Sequence, residues 1–422
     1  MKPSPVRIAV AACLCLAAGA CALLRAPQRP VAVVPKQAPV EPPAPLPVQT
    51  ERFVLARGQD IVGAVQIVKV RNGETLSDIG RRFNVGFGEM ARANPDVDPW
   101  LPKPGTPVVV PTQYILPDAP HVGIVVNLAA MRLFYFPPHK RGEPQVVITH
   151  PVGIGRRGWK TPQGVTHVLW HEKNPVWHVP PSIIAEHRQE GEPLPPVVGP
   201  GPDNPLGDYA LHLGWPGYLI HGTNKPVSVG LRVSHGCVHL FPEDIAQIYK
   251  IVPNGTEVRV VNQPYVFGWE DGRLYLQSPG PLKDDKRPWK QEARRLLAGT
   301  LTRMQRQELK GHDEKIDWNR VTQLVDAPAG VPVAVSGIDE NAGQDPGDGV
   351  TQVIVGAKLV QNTLPAGSTW DGKTDLPMSD AEFDKMFSGT APSQKTPAGQ
   401  TGSADSSHSA AASPAPNRAG TT

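Results

Sequence analysis

One short stretch in the middle of the chain gathers residue types that can perform nucleophilic chemistry. Cys237 lies two residues after His235, and His221 and His239 lie in the same stretch. A thiol becomes a nucleophile when a neighbouring imidazole favours the thiolate. Gly236 places no side chain beside the sulfur, so a substrate can approach it closely. The pattern predicts that Cys237 is a catalytic nucleophile.

The same histidines allow a second interpretation, a metal site. On a strand, His235, Cys237 and His239 would share one face, because side chains two apart point the same way. One cysteine and two histidines suit zinc, and His221 could complete the set. The glycine and the sixteen-residue spacing between His221 and Cys237 fit nucleophile chemistry better. We therefore expect no metal and no other cofactor at this site.

Composition limits what the rest of the chain can be. With 422 residues, Pro 49, Gly 41 and 6% aromatic residues, it fits compact β-rich modules separated by unstructured segments. The net charge of +3 is small, and the sequence has no basic patch with interleaved aromatic residues. Nucleic-acid binding is therefore not expected.

Residues 1–20 have the pattern of an export signal. Lys2 and Arg7 precede an apolar run from Ile8 to Leu16, which is too short to span a bilayer. Small residues at 18–20 supply a cleavage site. The mature protein is thus expected in the periplasm or cell envelope.

Cleavage at the end of this signal would make Cys21 the first residue of the mature chain. This resembles a bacterial lipoprotein signal, in which that cysteine is lipidated, although Ala18 stands where such signals usually have leucine. Secretion without lipidation is equally compatible with cleavage at this site. A lipid at Cys21 would anchor the chain at the outer membrane, the only membrane contact expected. Cys13 and Cys15 leave with the signal, so the mature chain has too few cysteines for a disulfide framework. A single thiol in an oxidising compartment is most often kept for catalysis, which favours a catalytic role for Cys237.

A proline-rich linker, 21–50, precedes a small module at 51–112. Gln66–Val70 alternates as a strand, and Thr75 with the acid three residues later can cap a helix. A second helix ends at Asn94, because proline follows it, and a strand closes the module. The predicted order is β-α-α-β.

This module resembles a LysM domain, in which the Gly-Glu-Thr-Leu and Ala-Asn-Pro sequences occupy the same positions. LysM domains bind the N-acetylglucosamine backbone of peptidoglycan or chitin, so the resemblance implies sugar contacts from these segments. The residues concerned are Gly73, Glu74, Thr75, Leu76, Asn94 and Pro95. The alternative interpretation is that they only cap and terminate the two helices.

From 119 to 262 the pattern is mainly β and predicts a closed or sandwiched β-domain with one or two helices. Predicted strands cover His121–Leu128, Met131–Phe136, Gln145–Thr149, Val165–Trp170, Leu219–His221 and Glu257–Val261, and a helix starts at Pro242. The Pro- and Gly-rich segment Arg188–Gly207 precedes the cysteine-containing stretch, and we predict that it forms a lid over the cleft.

Two segments follow this β-domain. Residues 263–335 are predicted to form a C-terminal extension with a strand pair and an amphipathic helix, Pro288–Gly311, that docks on the β-domain. From 336 to 422 Gly, Asp, Ser, Thr, Ala and Pro dominate, which predicts a disordered tail.

Four sequence fragments occur in order: Thr161–Gly164, Asn204–Gly207, His221–Asn224 and Ser234–Val238. Together they resemble the catalytic domain of the L,D-transpeptidases, the YkuD domain, and the Ser-His-Gly-Cys core matches that family closely. The resemblance extends from about 51 to 280 of the sequence and includes the LysM-like module. It implies a mainly β, YkuD-like sandwich or barrel.

Enzymes of this family attack a peptidoglycan stem peptide at the L centre of diaminopimelate and release D-alanine. The resemblance makes Cys237 the nucleophile that forms a thioester, and His221 the base that later protonates the leaving amine. It implies that the carbonyl of Gly222 orients this imidazole and that His235 shapes the pocket. Backbone N–H groups at Gly236 and Cys237 would form the oxyanion hole.

One residue departs from the family pattern. Family members usually have arginine or asparagine two residues after the cysteine, where this chain has His239, and that arginine contacts a substrate carboxylate. Histidine would do so weakly near pH 7, since its unperturbed pKa is about 6.5. Arg232 is the nearest cationic substitute. The expected substrate-binding residues are Arg232, Ser234, His239, Thr223 and Asn224.

The acceptor of the acyl group decides the product. An amine of a second stem peptide gives a 3-3 cross-link, an amine of a wall-anchored lipoprotein attaches that protein, and water makes the enzyme a carboxypeptidase or endopeptidase. A non-catalytic wall-binding protein is a further alternative, but the intact pair of His221 and Cys237 argues against it. The sequence therefore predicts an exported cysteine L,D-transpeptidase whose partner is peptidoglycan.

Overall fold

The computed structural model describes residues 51–306, 316–337 and 357–372. The predicted export signal, Cys21, the linker 21–50 and most of the predicted tail lie outside the described residues. Within the described ranges, no helix combines the length and hydrophobicity needed to cross a bilayer.

The described residues form a mainly β structure, as the sequence predicted. The strands are β1 (Arg52–Leu55), β2 (Ile61–Gly63), β3 (Gln66–Lys69), β4 (Pro107–Val110), β5 (Gln113–Ile115), β6 (Gly123–Asn127), β7 (Arg132–Phe136), β8 (Gln145–Pro151), β9 (Ile154–Gly155), β10 (Gly164–Lys173), β11 (Trp177–His178), β12 (Val197–Val198), β13 (Tyr209–Leu213), β14 (Leu219–His221), β15 (Arg232–Ser234), β16 (Val238–His239), β17 (Glu257–Val261), β18 (Val266–Glu270), β19 (Arg273–Gln277), β20 (Pro332–Ala334) and β21 (Lys358–Leu359). The helices are α1 (Leu76–Arg82), α2 (Phe87–Ala93), α3 (Pro181–Gln189), α4 (Pro242–Ile251), α5 (Trp289–Arg306) and α6 (Trp318–Asp326). Nine strands join in one sheet, in the order β1-β8-β7-β6-β17-β10-β13-β14-β16.

The core of this nine-stranded sheet positions the cysteine-containing stretch. β6 is buried at every residue and pairs in parallel with β17. Continuous apolar runs of this kind are typical of strands covered on both faces. Helix α4 begins three residues after β16 and buries Ile245 and Ile248 in the core of the sheet, each contributing roughly 1.5–3 kcal/mol. The core therefore holds the strand end at β16 in place.

The predicted β-α-α-β module is observed as β3, α1, α2 and β4. Thr75 caps α1: its hydroxyl accepts from the Asp78 N–H at 3.1 Å, and the Asp78 carboxylate accepts from the Thr75 N–H at 2.9 Å. A buried ion pair joins the module to the large sheet, since Arg132 on β7 donates to both carboxylate oxygens of Glu89 on α2 at 2.8 Å. Module and sheet therefore lie in one compact unit.

Helix α5 of the C-terminal extension docks differently from the prediction. Helix α5 packs with α6 and the β18–β19–β20 sheet, in an apolar cluster that also contains Ala93 and Val109 of the module. The sequence showed that this helix has an apolar face. It did not show which surface receives that face, because the receiving residues are far away in the chain.

The prediction of a disordered tail is wrong for residues 357–372. β21 lies parallel to β3, with Leu359 opposite Ile67, and extends the module's sheet. Asn362 donates from its side-chain amide to Glu74 Oε2 at 2.7 Å. The polar composition of this segment lacks the apolar pattern that predicts an ordered strand. The segment is ordered because the edge of β3 and the buried carboxylate of Glu74 supply partners for its hydrogen bonds.

Candidate active site

Strand β14 carries His221 into the interior of the site. It pairs antiparallel with β13 and parallel with β16, and His221 lies opposite His239. The imidazole is buried, and its Nδ1 donates to the carbonyl oxygen of Gly222 at 2.6 Å. A carbonyl can only accept, so the ring hydrogen is on Nδ1 and Nε2 keeps its lone pair. His221 is therefore arranged to accept a proton.

A tight turn between β15 and β16 presents Cys237. Gly236 has a φ of 110°, and a Cβ atom there would lie 2.9 Å from the Tyr218 ring, so glycine is required. Ser234 Oγ donates to the Cys237 carbonyl at 2.6 Å and accepts from the Gly236 N–H at 3.2 Å. This second bond uses the Gly236 donor inside the turn, so the expectation of an oxyanion hole rests on the Cys237 N–H.

The strand register relates this thiol to the imidazole. Cys237 stands two residues before His239, the register partner of His221. Cys237 itself lies in the turn directly before β16, whose pairing with β14 sets His239 opposite His221. The Sγ atom lies 3.8 Å from the carbonyl oxygen of Gly217, a distance that allows a weak S–H bond.

Burial keeps both members of this pair neutral. It raises the pKa of the Cys237 thiol to about 11. It lowers the pKa of His221 to about 3, with a smaller contribution from the charge of His239. At neutral pH these pKa values make Cys237 a thiol and His221 a neutral imidazole. Attack therefore requires transfer of the proton from Sγ during the reaction.

The structure contradicts the expectation that His239 contacts substrate. Its side chain is 3% exposed, and its Nε2 lies 2.9 Å from Ser228 Oγ. A Cβ atom on Gly153 would lie 2.0 Å from the ring, so the backbone of Gly153 packs directly against the imidazole and encloses it on that side. Burial lowers the pKa of His239 to about 4. A neutral and enclosed imidazole packs beside His221 and cannot replace an arginine as an anion contact.

The zinc interpretation required one strand through residues 235–239, and the structure has a turn there instead. Left-handed Gly236 separates β15 from β16. His235 turns towards α3, where its Nε2 lies 2.8 Å from Glu186 Oε2, whereas His239 is enclosed as described above. The two imidazoles therefore belong to different hydrogen-bond networks.

Arg232 is held by the C-terminal extension. Its Nη1 donates to Asp284 Oδ1 at 2.6 Å, and this bond lowers the pKa of Asp284 to about 2. Arg232 also lines a cavity of about 550 Å³, together with Lys160 and Thr161. A substrate carboxylate at Arg232 would therefore compete with a carboxylate that the chain itself supplies.

The other predicted substrate contacts take part in loop structure. Thr223 is buried, and its Oγ1 accepts from the Lys225 N–H at 3.0 Å. Asn224 is exposed and donates to the Pro202 carbonyl at 3.0 Å, which ties the loop after His221 to the predicted lid segment. Of these two side chains, only Asn224 is open to solvent.

Most of the predicted sugar-binding residues are engaged within the module. Asn94 uses its whole side-chain amide on backbone groups of α2 and β4, at 2.7–2.9 Å. Leu76 is completely buried, and Glu74 is 8% exposed. The expectation that the side chains of Asn94 and Leu76 contact sugar is thus contradicted by burial, while Gly73 and Pro95 are exposed.

The sequence interpretation missed three residues that shape the site: Gly153 and Ser228 around His239, and Glu186 against His235. Glu186 was missed because α3 buries only Ile183 and shows no clear apolar periodicity. The signal that could have located this helix is proline at its first position, Pro181.

Comparisons with known proteins agree with these features. Residues 121–260 match the YkuD family model, described as "L,D-transpeptidase catalytic domain", and residues 68–111 match the "LysM domain" model. "Probable L,D-transpeptidase ErfK/SrfK" of Salmonella typhimurium is 38% identical over 69% of this chain and 90% of that protein. "Probable L,D-transpeptidase YbiS" of Escherichia coli K12 is 39% identical over 66% of this chain and 90% of that protein. "Probable L,D-transpeptidase YcfS" of Escherichia coli K12 is 42% identical over 54% and 72%, respectively.

Proposed function

The chain belongs to the L,D-transpeptidase family, and on that premise we propose how its own residues carry out transpeptidation. It is a peptidoglycan L,D-transpeptidase of the cell wall, with a LysM domain ahead of the catalytic domain. We propose domain bounds of 51–112 for the LysM-type module, 119–262 for the catalytic domain and 263–335 for the extension.

In the first half of the proposed reaction, Cys237 Sγ attacks the carbonyl carbon at the L centre of diaminopimelate. The thiol proton moves to His221 Nε2 as the S–C bond forms, and the negative charge develops on the carbonyl oxygen. The Cys237 N–H stabilises that oxyanion. When the C–N bond breaks, His221 returns the proton to the leaving amine, D-alanine departs and a thioester remains.

In the second half, an amine attacks the thioester carbon. His221 Nε2 takes the proton from this amine, the C–S bond breaks, and the proton returns to the departing sulfur. The products are a new amide and the free thiol. The observation that supports this scheme best is the 2.6 Å bond from His221 Nδ1 to Gly222 O, because it leaves Nε2 unprotonated and able to accept the thiol proton.

The identity of the acceptor is part of the proposal. We propose an amine of a second stem peptide, giving a 3-3 cross-link, with the amine of a wall-anchored lipoprotein as the other amine acceptor. Export through residues 1–20 and lipidation at Cys21 would bring the enzyme to the envelope where both acceptors occur. Hydrolysis by water is the competing outcome.

Purified muropeptides test the reaction directly. The full chain is incubated with tetrapeptide muropeptides, and products are identified by mass spectrometry, with Cys237→Ser as the matched control. We expect 3-3 linked dimers and free D-alanine from the natural chain and neither from the variant. Trimmed stems without dimers would show a hydrolase, and unchanged substrate would contradict the proposal.

A further inference from the structure

Helix α3 reaches the catalytic turn through one carboxylate, that of Glu186. Its Oε2 is 2.8 Å from His235 Nε2, and its Oε1 accepts from Trp159 Nε1 at 3.3 Å. The Arg156 guanidinium pairs with the same carboxylate. One side chain thus contacts the residue just before Gly236 and two residues of the segment that follows β9.

The segment that carries Arg156 and Trp159 is itself joined to the turn. The Arg156 N–H donates to the Ser234 carbonyl at 2.9 Å, so the segment after β9 is bonded to the start of the turn. A Cβ atom on Gly236 would lie 3.5 Å from Lys160 O and 3.7 Å from Trp159 O, so the same segment also packs against the middle of the turn. Glu186 therefore contacts both the turn, at His235, and the segment packed against the turn, at Arg156 and Trp159.

Helix α3 has few other contacts that could fix its position. It has nine residues and buries only Ile183. A helix of this length is marginal by itself in water, so tertiary contacts must hold it. Two residues of the helix reach the catalytic turn: Glu186 through its polar contacts, and His187, whose ring lies 6.0 Å from that of His235.

The same contacts fix the orientation of His235. Nε2 of the ring lies 2.8 Å from Glu186 Oε2 and 3.0 Å from Arg156 Nη2, so the imidazole, the guanidinium and the carboxylate form one polar cluster. The Trp159 indole meets this ring edge-on at 5.0 Å. Burial tends to raise the pKa of Glu186, but hydrogen bonds from His235 and Trp159 and the charge of Arg156 outweigh it, so the pKa is lowered. The carboxylate is thus ionised and a strong acceptor at neutral pH.

We propose that Glu186 is a positioning residue for transpeptidation: through His235, Trp159 and Arg156 it holds helix α3 and the turn in the geometry from which Cys237 attacks. This inference rests on the proposed function, because it concerns the acylation of Cys237. Glu186 acts through His235 and the turn, and it does not itself exchange a proton with substrate.

A double-mutant cycle tests this coupling. The rate of acylation of Cys237 by a carbapenem, a reaction expected from the family resemblance, is followed by single-turnover mass analysis for Glu186→Gln, His235→Gln and the double variant. We expect each single change to slow acylation about tenfold and the double variant to be no slower than the slower single one, because the two residues act as a unit. The carbapenem concentration at half-maximal rate should change less than twofold.

The control is Glu190→Gln, the same chemical change at an exposed residue that follows α3. It should stay within twofold of the natural chain. An unchanged rate for Glu186→Gln, or effects of the two single changes that multiply to about a hundredfold, would overturn the inference. If Glu186→Gln does not fold, Trp159→Phe removes the indole donor together with part of the ring, and a rate within about 1.5-fold overturns the inference equally.

The outcome also separates this inference from the proposed function. If the natural chain itself is not acylated at Cys237, the proposed function fails. If the natural chain and Glu186→Gln are acylated equally fast, only the role of Glu186 fails.

Discussion

The catalytic domain and the LysM domain use their motif residues in opposite ways. In the LysM domain, Leu76 and Asn94 are buried, and Asn94 has its hydrogen-bonding groups occupied by backbone partners. In the catalytic domain, His221 donates from one ring nitrogen to the Gly222 carbonyl and keeps a lone pair on the other, and Cys237 is a free thiol.

The difference follows from size. The LysM domain match covers only residues 68–111, a segment with few apolar side chains, so its recognisable residues must also cap and connect its elements. The catalytic pair is instead positioned by strands and a helix supplied by a much larger core. Changes to motif residues should therefore alter stability in the LysM domain and reaction rate in the catalytic domain.

The largest effect is expected for His221→Gln. Glutamine cannot accept the thiol proton, so acylation of Cys237 should slow by about a hundredfold to ten-thousandfold. Single-turnover acylation by a carbapenem measures this rate, and the thermal midpoint should change little. A rate close to that of the natural chain would show that another group acts as the base. The motif residue His221 would then not control the reaction rate.

A smaller and graded effect is expected from pH. Because burial raises the pKa of Cys237 to about 11, the thiolate is scarce at pH 7 and its fraction grows as pH rises towards that value. The rate of alkylation by iodoacetamide should therefore rise about tenfold per pH unit between about pH 7 and 10. Mass analysis of the modified cysteine follows this rate, with a free cysteine peptide as reference. A plateau from pH 6 upward would instead indicate a thiolate–imidazolium pair.

The smallest effect is expected in the LysM domain. Asn94→Ala removes three bonds to backbone groups and leaves buried donors and acceptors unpaired, which should lower stability by about 1–3 kcal/mol. The matched control is Pro95→Ala, an exposed neighbour. Thermal unfolding should detect the first change and hardly the second, while acylation of Cys237 stays within twofold. A loss of acylation in Asn94→Ala without loss of stability would show that this LysM residue affects the reaction and not the stability of the domain.

The sequence by itself determined those features that depend on residues close together in the chain. The capping of α1 by Thr75 and Asp78 involves residues three apart, and the order β-α-α-β follows from such signals. The Ser-His-Gly-Cys core and the spacing to His221 likewise identified the family, and the relatives agree. The catalytic roles of Cys237 and His221 stay predictions until they are measured.

Only the tertiary structure decided which residues meet across long separations. The register of β14 against β16 sets His239 opposite His221, and packing against Gly153 then encloses it. Contacts from distant segments connect Glu186 to His235 and Asn362 to Glu74. Such contacts depend on how strands pair and where helices dock, and residue spacing along the chain does not encode that geometry. For this reason the sequence could name the chemistry of the site but not the side chains that hold it in position.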